Sequence, residues 1–251
     1  MITGGQFPPL TPLTVDAQSV VFVLLVLVVM PIGAVRSRST IALGRRRRTG
    51  GRVSPPRRSD VLTRALVLQL LLFAMSFVVA RHDRMDLWSW TGMRPVNVGI
   101  AIGALTLLLV LGALSWQLRT PEERRTLWMR HLLPRTSAQW ALWLVLSLAA
   151  GIAEETAYRG VLVVLLASVT ASFVTAVLLS AAAFALVHYP QGAKSMGWVF
   201  AIGLVMQAVV ASTGMLYVAM GVHAVYDVTA AIRAAGRFEE DSEEQSMAIG
   251  P

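Results

Sequence analysis

Cysteine is absent from the chain, and lysine occurs once, at Lys194. The missing cysteines exclude disulfides, a thiolate nucleophile and any Cys-type zinc site, and they leave the redox compartment unread. Charge is scarce, at 14% of residues, where soluble domains carry about a quarter. There is no His-Glu-x-x-His run, so the usual zinc-hydrolase helix is missing. No internal repeat marks two related halves, which argues against a secondary transporter. No basic segment precedes the first apolar run, so the N-terminus does not read as a signal peptide.

Apolar sequence fills the space these groups leave. Hydrophobic residues make up 55% of the chain, and the mean hydropathy is +0.63. The chain therefore reads as an integral membrane protein. A length of 251 residues accommodates roughly seven spans of about 20 residues with short loops. The expected fold is all-α, a polytopic membrane helix bundle of about seven to eight transmembrane helices.

The net charge of +8 raises nucleic acid as a partner, but its distribution points elsewhere. Arginines concentrate in residues 36–64, with Arg45-Arg-Arg-Arg48, Arg52, Arg57 and Arg58, and in residues 117–135, with Arg119, Arg124, Arg125, Arg130 and Arg135. Basic loops between apolar runs mark the cytoplasmic side and meet anionic headgroups. The lipid bilayer is thus the expected partner, with no nucleic acid.

Four regions follow along the chain. Residues 1–18 are polar and proline-rich and read as a disordered tail. Residues 19–136 hold three apolar runs, 19–35, 61–80 and 96–116, as accessory helices joined by the basic loops. Trp88 and Trp90 fit an aromatic belt between the second and third runs. Residues 137–233 hold four more runs: a long one from 137 to about 166, bent near Gly151 or Gly160, then 170–188, 196–212 and 215–232. Residues 234–251 carry an acidic cluster and read as a disordered, solvated tail. Two basic loops on one side and seven spans place the N-terminus outside and the C-terminus in the cytoplasm.

Titratable groups inside the apolar runs are few and sit in the second half. Of 14 acids only Glu154, Glu155 and Asp227 lie there, and of four histidines only His188 and His223. A charge near the bilayer centre costs about 2.5–3.5 kcal/mol on insertion scales. Glu155 and Arg159 are four apart and share a helix face, so they can pair. Glu154 is rotated by about 100° from Glu155 and can meet another partner toward the bundle centre. His223 and Asp227 are also four apart, as are Phe184 and His188. Each pair alone has a bland reading, as structural glue or an interfacial residue. Three runs that each carry an acid or an imidazole must turn these groups inward together.

Such a cluster suits water activation. Burial strengthens a carboxylate as a base and a nearby guanidinium weakens it, a balance that leaves Glu154 competent for general-base work. Imidazoles can orient the water or donate to an oxyanion. Equally, Glu154, His188, His223 and Asp227 can ligate a divalent metal such as zinc; the residues alone leave metal-free and metal-assisted routes open. Two other classes compete: a non-catalytic scaffold or immunity protein that keeps the polar core for packing, and a proton path using Glu154 and Asp227.

Glu154-Glu-Thr-Ala-Tyr-Arg159, Phe184-Ala-Leu-Val-His188 and His223-Ala-Val-Tyr-Asp227 resemble, in order and spacing, the EExxxR, FxxxH and HxxxN/D motifs of the CAAX-protease and bacteriocin-processing family of intramembrane proteases. The resemblance covers residues 137–233. It implies an intramembrane endopeptidase acting on a peptide or protein at the membrane. In that family the Glu154 position activates water together with His188, His223 and the Asp227 position stabilise the oxyanion, and Glu155 and Arg159 hold the geometry. Prenyl-processing members often carry Asn at the last position; the Asp here donates a hydrogen bond only when protonated. The one-domain design and the basic loops fit a prokaryotic plasma membrane.

Overall fold

The computed structural model describes residues 16–36, 57–89, 92–125 and 132–249. The N-terminal tail up to residue 15, the Arg45–Arg48 run, Trp90, Arg130 and His131 lie outside the described residues. Among the described residues the regular elements are all helical, as the apolar patterning requires of backbone that must satisfy itself in lipid.

Helix α1 (Ala17–Arg36) starts at Asp16, whose carboxylate accepts from the Ser19 N–H at 2.9 Å. That bond holds the Asp16 carboxyl below its ordinary range. A π turn, Leu25–Val29, interrupts the helix just before Pro31. Pro31 offers no N–H for the carbonyl four residues back, and a wider turn is one way for the register to adjust. Helix α2 (Arg58–His82) and helix α3 (Pro95–Gln117) follow, α3 with proline at its first position. A short helix α4, Pro121–Arg125, stands where an interfacial helix is expected.

Helix α5 (Ser137–Glu154) opens on Thr136, whose hydroxyl accepts from the Gln139 N–H. It runs without a break into a π-helical segment, Glu155–Leu162, and then into α6 (Val163–Thr170). The irregularity expected near Gly151 or Gly160 is therefore a widened helix that begins at Glu155. Ser172 caps helix α7 (Phe173–Val187), and a 3₁₀ turn, Tyr189–Gln191, leads to helix α8 (Ala193–Thr213). Gly214, at φ +68°, makes the turn into helix α9, Leu216–Ile249. The sequence reading ends this last helix at Ile232. It instead continues through Ala234, Ala235, Arg237 and the glutamates beyond, nearly all good helix formers.

Among the described residues four helices, Ala17–Arg36, Arg58–His82, Pro95–Gln117 and Ala193–Thr213, are long and apolar enough to cross a membrane, and Phe173–Val187 is shorter. Large apolar side chains cover the outer faces; Leu68 is 65% exposed and Ile102 is 62% exposed. Such a surface suits lipid rather than water. Inside, one core gathers Phe22, Val26, Leu72 and Val79 around Tyr158, Val161, Leu165 and Phe184. A second joins Ala104 and Leu108 to Met206, Met215 and Val222. The π segment packs against α2, α7 and α9.

Candidate functional site

The site begins with the change of helical pitch. In the π segment all eight residues from Glu155 to Leu162 are buried. A π turn frees backbone carbonyls from the regular ladder, and here Ser180 Oγ on α7 donates to the Tyr158 carbonyl at 2.7 Å. That bond fastens α7 to the segment carrying both glutamates' neighbours and Arg159.

Glu155 is fully buried, and its Oε1 is the hub. It accepts from Arg159 Nη1 at 3.1 Å and from His223 Nδ1 at 2.7 Å. The expected i,i+4 pair is therefore present, and it also reaches across to α9. Arg159 lies with its guanidinium carbon 4.2 Å from the Phe184 ring centroid, a cation–π contact strengthened by burial.

Glu154 points another way, as its rotation about the helix requires. Its Oε1 accepts from Gln69 Nε2 at 2.6 Å, and its Oε2 lies 3.7 Å from His223 Nε2. Asp227 Oδ2 lies 3.6 Å from the same nitrogen. Both separations exceed a direct hydrogen bond. His223 is thus held at Nδ1 and presents Nε2 between two carboxylates.

His188 follows the same rule by a different route. Its Nδ1 lies 2.8 Å from the Phe184 carbonyl. A carbonyl only accepts, so Nδ1 carries a proton, and Nε2 points away from this bond. The Phe184 ring joins the two imidazoles, with centroids 4.8 Å from His188 and 6.4 Å from His223. Tyr158 packs edge-on against Phe184 at 5.0 Å. Glu155, Arg159 and His223 are hydrogen-bonded, Glu154 and Asp227 stand within 3.7 Å of His223 Nε2, and His188 adjoins them through the Phe184 ring.

A close helix crossing sets these distances. At Gly151, one turn before the glutamates, a Cβ would stand 2.7 Å from the Met220 carbonyl and 3.2 Å from Ala224 N. Helices α5 and α9 approach backbone to backbone there, the arrangement that small residues permit in membranes.

The accessory reading of the first three apolar runs is corrected by Gln69. It lies on α2, which packs extensively along α5, and it supplies the shortest hydrogen bond to Glu154. Polar groups at the site are therefore not confined to the last four runs. A signal was available: Gln69 is the sole carboxamide in the run 61–80.

Ligands of one ion stand close to one another. Among the described residues, the group of three His, Asp or Glu side chains whose ligand atoms lie within 4.8 Å of one another is Asp16, His82 and Asp83. That group sits at the junction of α1 and α2 and does not include Glu154, His188, His223 or Asp227.

Residues 136–229 match a family model described as type II CAAX prenyl endopeptidase Rce1-like. The matched stretch runs from the cap of α5 through the π segment to α9 and contains all the motif residues named above. No curated protein and no solved structure matches the chain.

Proposed function

Starting from an Rce1-like stretch over residues 136–229, we propose that this membrane protein is a CAAX-type intramembrane endopeptidase that activates water on Glu154. The observation that carries the reading is the placement of His223. Its Nδ1 is fixed by Glu155 at 2.7 Å, while Nε2 faces Glu154 and Asp227 at 3.7 and 3.6 Å. One imidazole nitrogen is thereby aimed into a small space between a candidate base and a candidate oxyanion partner.

The reaction balances as follows. Glu154 takes a proton from water, and the hydroxide oxygen attacks the scissile carbonyl carbon. His188 accepts a hydrogen bond at Nε2 from the same water and orients it. His223, as the imidazolium whose Nδ1–H is held by Glu155, donates its Nε2–H to the oxyanion of the tetrahedral intermediate, and a protonated Asp227 donates beside it. The C–N bond then breaks, and Glu154 returns its proton to the leaving amine nitrogen. Glu155 and Arg159 touch no reacting atom; they hold His223 and Phe184 in place. No step passes through a metal.

The substrate class is a peptide or protein segment in or at the membrane. The one-domain design and the basic loops support a prokaryotic plasma membrane, with the C-terminus on the cytoplasmic side, that of the 117–135 loop. The test is cleavage of a membrane-anchored peptide library by the full chain in proteoliposomes, with and without a chelator. Cleavage that survives chelation and disappears in Glu154→Gln supports the reading. A protein that folds and cleaves nothing favours a non-catalytic scaffold of the same fold.

A further inference from the structure

Asp16, His82 and Asp83 gather where the start of α1 meets the end of α2, outside the matched stretch 136–229. Asp83 closes α2, and Arg84, at φ +53°, turns the chain out of the helix. Ser19, fully buried on α1, orders both carboxylates. Its N–H donates to Asp16 Oδ1 at 2.9 Å, and its Oγ donates to Asp83 Oδ2 at 2.7 Å. The second oxygen of each carboxylate then faces the same imidazole nitrogen. His82 Nδ1 lies 2.8 Å from Asp83 Oδ1 and 3.3 Å from Asp16 Oδ2. The Asp83 side chain is only 6% exposed, whereas Asp16 and His82 are 32% and 49% exposed. The group thus has a fixed back and a mouth open to solvent. Arg81 and Arg84 flank it in sequence with both residues exposed, and residues 1–15 contain no charged side chain.

A protonated Nδ1 has one hydrogen to give. It makes one good hydrogen bond, to Asp83, and leaves Asp16 at a longer contact. A dication held by all three atoms serves both carboxylates at once. With metal–ligand bonds of about 2.0–2.2 Å in a tetrahedral site, neighbouring donor atoms stand about 3.3–3.6 Å apart. The separations of 3.3 and 2.8 Å need little or no widening to reach that spacing.

We propose that Asp16 Oδ2, His82 Nδ1 and Asp83 Oδ1 bind one divalent transition-metal ion of the zinc type. One imidazole and two carboxylates form a donor set that suits zinc, and an imidazole ligand disfavours calcium and magnesium. The ion takes the place of the Nδ1 proton, which passes to solvent, and water completes the coordination. Ser19 orients the ligands from behind, as groups bonded to metal ligands commonly do. The bound ion cross-links α1 to α2, the helix that carries Gln69. The site shares no residue with the catalytic proposal and does not depend on it.

The test uses the untagged full chain in neutral detergent, stripped with a chelator and titrated with zinc chloride by calorimetry. His223→Ala serves as the parent protein, because it removes the imidazole that lies among Glu154, Glu155 and Asp227. It should still bind one equivalent of zinc, and zinc should raise its Tm. Adding His82→Ala, at a half-exposed position, should weaken that binding at least tenfold and abolish the rise in Tm. Adding Asp16→Asn should do the same. Ser19→Ala keeps all three ligands and loses the hold on Asp83, so it should weaken binding about 10–100-fold. Size-exclusion elution checks that each variant is folded. Should Ser19→Ala not fold, His82→Ala and Asp16→Asn carry the comparison. No zinc binding by the parent, or equal binding by the parent and its His82→Ala variant, would overturn the proposal.

Discussion

His223 Nδ1 donates to Glu155 Oε1 across 2.7 Å, joining α9 to the first residue of the widened segment. Because Glu155 is fully buried and also bound by Arg159, the imidazole has a fixed orientation before any substrate arrives. The adjacent Glu154 keeps one oxygen toward His223 Nε2 and gives the other to Gln69. The two neighbouring glutamates thus have different partners, Glu155 held by Arg159 and His223, Glu154 by Gln69.

Glu154→Gln is expected to lower cleavage by about 10²–10⁴-fold, the range typical of a lost general base. The amide keeps the shape of the side chain, so the purified variant should elute and melt like the wild type. Parallel rate and melting measurements in the same detergent decide the matter. Loss of fold together with activity would assign Glu154 to packing instead.

Glu155→Ala removes the partner of two buried nitrogens and leaves Arg159 uncompensated. Breaking a buried pair of this kind costs about 3–5 kcal/mol, so the variant should unfold at markedly lower denaturant or temperature. Replacing both members, Glu155→Leu with Arg159→Met, should recover much of that stability without recovering cleavage. Activity returning with stability would show that the pair positions nothing.

Gln69→Leu tests the contribution of α2. A hydrogen bond to a charged group is worth about 1.5–3 kcal/mol. The variant should therefore cleave roughly 10–150-fold more slowly if the bond matters in the transition state. The loss should fall on kcat more than KM, since Gln69 touches Glu154 and not the peptide.

Gln69 also shows where the sequence reading stops. Titratable residues in apolar runs stand out because lipid makes them expensive, and so the glutamates, the imidazoles and Asp227 were legible. The i,i+4 spacing of Glu155 and Arg159 predicted their pairing, which the 3.1 Å contact bears out. A neutral amide in a run of leucines carries no such signal until α2 is known to lie along α5. The π segment was hidden for a related reason. Its sequence, Glu155 to Leu162, has ordinary helical composition, and the widening is imposed by what packs around it. The His223–Glu155 bond joins residues 68 positions apart, a separation that no local pattern reports.

Gly151→Ala probes the helix crossing. The added methyl would meet the Met220 carbonyl at 2.7 Å and Ala224 at 3.2 Å, so α9 must move. Overpacking of this kind costs about 1–3 kcal/mol. The displacement should also carry His223 away from Glu155 and lower cleavage more than the stability loss accounts for. Substituting Ala224→Gly alongside removes only the Ala224 Cβ, at 3.3 Å, and leaves both backbone contacts, so it should not restore the rate. A Gly151→Ala enzyme of undiminished activity would show that the crossing does not set the site's geometry.

Asp227→Asn separates two roles for the last motif residue. If Asp227 donates to the oxyanion, it does so only when protonated, because an ionised carboxylate has no proton to give. Cleavage by the wild type should then fall as pH rises through the Asp227 ionisation. Asparagine donates at every pH, so the variant should keep its rate and lose that alkaline decline. Asp227→Ala removes the donor altogether and should lower the rate by about 10²–10³-fold at all pH values. If instead Asp227 acts as an anion that orients His223 Nε2, which it faces at 3.6 Å, Asp227→Asn should be as damaging as Asp227→Ala. The pH–rate profiles of the three proteins distinguish these outcomes, because only a proton donor is improved by making its proton permanent.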